Sequence, residues 1–192
     1  MGLHKRAKLL SEKQQKAVLQ YLSTKKHSKR NQLMFLLSVK AALRAKEIGA
    51  LKWSHITTSE GVIGDTINLP NVCSKGNSGR VIPISKDLKE ALICHFGEGK
   101  PLDNTVIVSQ KGYSMSNAVV ANFFFKLYSD LGMDGCSSHS GRRTAATKWA
   151  KTVSSVGGSL RDVQTLLGHS SLQITQCYVD VDTEAQQKLV NL

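Results

Sequence analysis

Apolar residues recur along this chain at two spacings, and the change from one to the other lays out its elements. Ser11 followed by Gln14 has the form of a capping box and opens a helix that runs to about Leu22. The stretch "TKKHSKR" links it to an apolar helix at roughly 31–43, and "AKEIGALKW" reads as a short third helix. From Val62 the pattern turns strand-like, in "VIGDTINLP" and then "NVCSKGNSGRVIPIS", where the Gly-Asn-Ser-Gly cluster marks the tip of a β-hairpin. Ser85 caps a helix ending near Phe96, and "TVIVS" predicts a short strand. Helices follow at about 115–131, 139–152, 159–167, 171–179 and 183–190. The pattern predicts a mainly α fold with a small antiparallel β-sheet inserted early, an α+β domain.

At 192 residues the chain suits a single domain over 1–192 that buries its own core. Hydrophobic residues make up 41%, which excludes a disordered tail. No apolar run approaches the roughly eighteen residues of a membrane span, and the start lacks the apolar core of a signal peptide. The expectation is a cytoplasmic protein with no membrane partner. Cys73, Cys94, Cys136 and Cys177 are scattered, with no Cys-x-x-Cys pair, and are expected to be free, buried thiols.

Charge changes the picture more. The chain carries a net +12, and thirteen Lys or Arg against only Glu12 and Glu47 put +11 of it within residues 1–52. Nine of the first thirty residues are basic. A lone basic helix is usually just solvated, but so lopsided a distribution points to a polyanion such as nucleic acid. Lys5, Arg6, Lys8, Lys25, Lys26, Lys29 and Arg30 are the candidate phosphate contacts of this 1–30 segment.

The candidate chemistry is spread along the chain. In "HSGRRTAATKW" His139 and Arg142 are three apart and share a helix face. An Arg held beside a His suits a phosphate, because guanidinium donates two parallel hydrogen bonds to its oxygens. The pair alone is unspecific. "LLGHSSLQITQCYVD", Leu166 to Asp180, reads as helix, Gly turn and second helix. It fits a helix-turn-helix that reads bases, and equally a frame that sets His169 and Tyr178 beside a phosphate. Upstream, "ALRAKEIGALKWSHI" places Arg44 at the start of a short helix with Glu47 three residues on. "SKGNSGRVIPI" places Lys75 at the hairpin tip. A zinc site on Cys136, His139, His169 and Cys177 matches no common finger spacing. No carboxylate cluster suits magnesium, so neither a metal nor a cofactor is expected.

In order, Arg44, Lys75, His139-x-x-Arg142, His169 and Tyr178 resemble the catalytic set of the tyrosine recombinases, the phage-integrase family. That family's order is Arg, a β-hairpin Lys, His-x-x-Arg, a second His or Trp, and a nucleophilic Tyr. The resemblance runs from about Leu9 to Asp182, with the nine-residue gap from His169 to Tyr178 intact. It implies a tyrosine-recombinase catalytic domain, a fold also similar to type IB topoisomerases. Many members carry a further N-terminal helical domain, for which this chain leaves no room, so a short, catalytic-domain-only member is expected. Gly141 stands where many members carry Leu, and looser packing beneath that helix is the expectation.

The resemblance implies a site-specific recombinase in which Tyr178 attacks a DNA phosphodiester and forms a 3′-phosphotyrosyl link. A free phenol titrates at about pH 10, so the nucleophile needs cations nearby. Arg44 and Arg142 would hold the non-bridging oxygens, Lys75 would protonate the leaving 5′-oxygen, and His139 would assist at Tyr178. His169 would hydrogen-bond a phosphate oxygen, and Glu47 would orient the site. The partners implied are double-stranded DNA with a specific site, other copies of the chain as dimer to tetramer on DNA, and accessory DNA-bending proteins. The segment 181–192 would be exchanged between subunits. The rival reading is a non-catalytic regulator, either helix-turn-helix or recombinase-fold, which leaves Arg44, Lys75 and His139-x-x-Arg142 without a role.

Overall fold

The computed structural model describes residues 6–73, 78–97 and 101–179. Helix α1 (Glu12–Ser23) starts where the capping box predicts: Ser11 Oγ accepts from Gln14 N and Gln14 Oε1 accepts from Ser11 N. Helix α2 (Ser28–Lys40) is the centre of the domain, buried without a break from Leu33 to Val39, and it packs against α1, α4 (Lys86–Phe96) and α6 (Ser140–Thr152). A helix apolar on all sides has to be surrounded in this way.

The sequence extends α2 to about residue 43, but the helix ends at Lys40. Ala42 adopts a left-handed conformation, φ 53°, and Leu43 N turns back to Leu37 O at 3.1 Å. Positive φ is uncommon without glycine. Here it re-aims the chain into α3 (Ala45–Ala50), which packs on α5 (Asn117–Asp130).

Strands β1 (Thr66–Leu69) and β2 (Arg80–Pro83) pair antiparallel, with Ile67 opposite Ile82 and Leu69 opposite Arg80. Alternation sends these four side chains inward and leaves Asn68 and Val81 exposed. "TVIVS" does not form a strand. It makes only single-residue bridges, Lys52 with Thr105 and Val108 with Ser114, while Val106 and Ile107 plug into the core. The hairpin tip around Gly76 and Asn77, and the helix expected at 183–190, lie outside the described residues.

Helices α7 (Leu160–Leu167) and α8 (Leu172–Gln176) follow α6. Helix α8 is shorter than the 171–179 expected, because Tyr178 N and Val179 N bond three residues back, to Thr175 O and Gln176 O, and tighten the end. The main apolar cluster includes Trp53, Phe35, Phe124 and Tyr128, and a second, small cluster joins Ala42, Ala145, Ala146 and Ala150 to Val163 and Leu167. All four cysteines are free as expected, but only Cys73 is buried; Cys94 and Cys177 are exposed and Cys136 is half-buried. Among the described residues no helix is long and apolar enough to cross a membrane.

Candidate active site

Glu47 is the buried pivot of the site. Its exposure is 0%, and Arg44, which precedes α3, gives it both a backbone and a side-chain bond: Arg44 N to Oε2 at 2.8 Å and Arg44 Nη1 to Oε1 at 2.9 Å. Arg44 and Glu47, three apart in sequence, thus form an ion pair. Burial alone would push the carboxyl up, but hydrogen bonds and charge from Arg80 and then Arg44 outweigh it and hold Glu47 below the ordinary range. It stays an anion.

Arg142 approaches from α6 and is only 5% exposed. Its Nη1 donates to Ala42 O and its Nη2 to Leu167 O, both at 2.6 Å. The left-handed turn at Ala42 thus supplies a carbonyl, and the end of α7 supplies another at the negative pole of its dipole. Burial, then the charge of Arg44, keeps Arg142 well below the usual guanidinium range, though still charged at neutral pH. No carboxylate forms an ion pair with it among the described residues.

His169 follows the left-handed Gly168 that ends α7. Its Nε2 lies 3.2 Å from Arg142 Nη2 and its Nδ1 3.0 Å from Thr175 Oγ1. Arg142 can only donate, so Nε2 accepts and Nδ1–H donates to Thr175. Burial, with Arg142, Arg44 and Arg80, pushes His169 down to about 4, so the ring is neutral. The Tyr178 ring stacks on it, centroids 5.8 Å apart and planes 9° apart. Tyr178 also rests against the small alanine cluster, half-buried.

His139 lies just ahead of α6, exposed, and it lines a cavity of about 830 Å³ together with Arg44, Arg142, His169 and Tyr178. Five of the six expected catalytic residues thus share one cavity. Lys75 lies outside the described residues. Cys136 and Cys177 line the same cavity, but both nitrogens of His169 are already engaged by Arg142 and Thr175.

Gly141 overturns the expectation of loose packing. A Cβ there would clash with Oγ and Cβ of Ser38, so glycine lets α6 sit close on α2 and carries Arg142 inward. Sequence reasoning also missed Arg80, which is 8% exposed and bonded to both oxygens of Glu47 at 3.0 Å. The signal was present in "RVIPI": strand alternation puts Arg80 on the inward face with Ile82.

The basic residues of the first thirty divide. Arg6 lines the cavity, placed there by Leu10 N on Thr144 Oγ1 and by Arg143 Nη1 on Ala7 O. Lys8 lies across Gly135, and its N–H bonds Gly135 O at 3.0 Å. Lys25, Lys26 and Lys29 are exposed, with Lys25 Nζ 4.3 Å above the Tyr21 ring. Arg30 instead turns inward to Val108 O and Asn31 Oδ1. Lys5 lies outside the described residues.

Residues 8–185 match the model of the phage integrase family. Tyrosine recombinase XerC of Brucella suis biovar 1 (strain 1330) is 31% identical over 143 residues, covering 68% of this chain and 43% of the relative. The chain thus spans less than half of that relative's length. Two solved structures share the fold. The Tn1549 transposon integrase in complex with a circular intermediate DNA has a TM-score of 0.74 at 19% identity, over 96% of this chain and 65% of that one. A lambda integrase dimer bound to a COC′ core site has 0.70 at 20% identity, over 94% of this chain and 49% of that one. With nearly every described residue inside the matched span and five of the six expected side chains gathered in one cavity, the chain belongs to the phage integrase family.

Proposed function

We propose that this chain is a site-specific DNA recombinase that breaks and rejoins strands through a 3′-phosphotyrosyl link at Tyr178. The observation that carries this is the cation excess of the cavity. Arg44 and Arg142 line it, Arg80 lies behind Arg44 on Glu47, the one carboxylate of this buried or half-buried group among the described residues, and His169 is neutral. Among the described residues Arg142 is hydrogen-bonded to two carbonyls and a ring nitrogen and forms no ion pair. A site with net charge about +2 favours an anion, and it favours most the extra charge of a phosphoryl-transfer transition state.

Tyr178 Oη attacks the phosphorus, its proton passing toward His139, and the bond from phosphorus to the 5′-oxygen breaks. That oxygen leaves with a proton from Lys75. Arg44 and Arg142 hold the non-bridging oxygens. His169 joins them by taking a proton on Nε2 as the anion arrives, since a phosphate opposes the cations that now keep the ring neutral. A 5′-hydroxyl of a partner strand then reverses the step, so the bond energy is retained in the covalent link. No metal or cofactor takes part.

The Tn1549 integrase in complex with a circular intermediate DNA and the lambda integrase dimer bound to a core site support DNA with a defined site as partner, and the reading takes the DNA as duplex and the assembly on it as dimer to tetramer. Exchange of segment 181–192 between subunits and help from DNA-bending proteins complete the reading, in the cytoplasm of a bacterium or phage-infected cell. The exposed Lys25, Lys26 and Lys29, with Lys5, Arg6 and Lys8, add phosphate contacts.

A nicked duplex built from DNA flanking the chain's own coding sequence tests the chemistry, because the nick lets the 5′ fragment escape and traps the link. A protein–DNA band surviving denaturing electrophoresis is expected from the native chain and none from Tyr178→Phe, at unchanged DNA affinity. A 5′-bridging sulfur should restore cleavage to Lys75→Ala, since a thiolate leaves without protonation, and should do little for Arg142→Ala. A persistent band from Tyr178→Phe means a different nucleophile.

A further inference from the structure

Arg80 has no part in the reaction described above, yet all three nitrogens of its guanidinium are hydrogen-bonded. It sits on β2 opposite Leu69, facing inward, with a side chain only 2% exposed. Nη1 and Nη2 reach the two oxygens of Glu47, each at 3.0 Å, in the bidentate fork that guanidinium alone provides. Nε donates to Leu166 O at 2.8 Å, at the carbonyl end of α7. One residue on, Leu167 O accepts from Arg142; then come Gly168 and His169. Gly168 is fitted to this: φ is +61°, and a Cβ there would lie 3.0 Å from Arg80 Cδ.

A single guanidinium thus ties together two parts of the site that are far apart in sequence. Through Glu47 it sets Arg44, whose backbone N–H and Nη1 both rest on that carboxylate. Through Leu166 it sets the end of α7, and with it the turn that carries His169 toward Tyr178. Without Arg80, Glu47 would keep only Arg44 as a cation and would be drawn across it, and α7 would lose the donor at Leu166 O. Lysine cannot replace it, because a point ammonium cannot hold both oxygens of Glu47 in a fork and bond Leu166 O as well.

We propose that Arg80 is a positioning residue for strand cleavage, fixing Arg44 and the His169 turn in register so that both meet one phosphate. This rests on the reading of the cavity as the cleavage site. Arg80 touches no substrate and acts through Glu47 and α7.

The test uses Arg80→Lys and Arg80→Met in single-turnover cleavage of the nicked duplex described above, beside measured affinity for the same DNA. Cleavage should slow about ten- to a hundredfold, the scale of an ångström-level misplacement, while affinity stays within about twofold. A second substrate carries methyl in place of one non-bridging oxygen at the scissile phosphate and so lacks the charge that Arg44 and Arg142 hold. With it the loss should shrink to about twofold, because misplaced guanidiniums then cost little. In an Arg44→Ala background Arg80→Lys should add less than it costs the native chain, the remainder coming through Leu166 O and the His169 turn. Wild-type rates for both variants, or equal losses on both substrates, would leave Arg80 with a merely structural role and overturn the proposal. Absence of a covalent complex from the native chain itself would instead fail the reading of the cavity, and this proposal with it.

Discussion

The two apolar clusters of this molecule are held together by different means. The large one, around α2, α5 and the sheet, is closed by big side chains such as Trp53, Phe35 and Phe124, each at most 1% exposed. The small one, where α6 and α7 meet, is lined mostly by alanines, and Tyr178 rests on its edge. Alanines bury little area, so α6 and α7 owe their seating to polar contacts instead: Arg142 on Ala42 O and Leu167 O, and Arg80 on Leu166 O. The contrast teaches where the chemistry can live. A cluster built on area is indifferent to charge, whereas one bridged by guanidiniums is expensive until an anion arrives and becomes tighter when it does.

Substitutions can separate the two regions. Trp53→Ala should cost the most, about 3–5 kcal/mol in urea unfolding, because it empties the large cluster. A cost below about 1 kcal/mol would mean that burial there does not dominate. Gly141→Ala should cost about 1–3 kcal/mol by forcing α6 off Ser38, and should slow cleavage by moving Arg142. Ser38 Oγ is buried with no partner among the described residues, so Ser38→Ala alone should be nearly neutral. Together the two changes should cost less than their sum; strict additivity would remove Ser38 as the obstacle.

The small cluster should also carry a pH dependence. His169 is held near 4 in the folded chain against an unfolded value of 6.5, so between those values the unfolded chain binds more protons. Stability should therefore fall as pH drops from 6.5 to 4 and level off below, by about 1 kcal/mol given the partial exposure of the ring. His169→Asn should flatten that limb, and an identical pH profile in both proteins would contradict the assignment. The smallest effect belongs to the exposed lysines. Lys25, Lys26 and Lys29 changed together to Gln should lower the slope of log affinity against log salt by roughly one to three units, with preference for the native site unchanged. No change in slope would mean that they only face solvent.

Much of this was legible beforehand, for identifiable reasons. The Ser11 capping box, the apolar α2 and the inward–outward alternation of the hairpin are local signals, and each element stands close to its expected place. Five of the six expected catalytic residues could be named in advance because their order along the chain carries the resemblance that suggested them, and they line one cavity. What escaped depends on long-range geometry. The left-handed Ala42 shortens α2 because its carbonyl is needed a hundred residues later by Arg142. Gly141 reads as a gap in sequence and is a close approach in space. Arg30 looks like its lysine neighbours, but a carbonyl at Val108 turns it inward.

The account stands most directly on the identity of the nucleophile. The covalent complex trapped on nicked DNA can be digested with nuclease and trypsin and its modified peptide sequenced by mass spectrometry. The nucleotide should sit on the tryptic peptide running from Asp162 to Lys188, attached through the phenolic oxygen of Tyr178. Attachment to Ser170, Ser171 or Thr175 of the same peptide, or to any residue elsewhere, would contradict it.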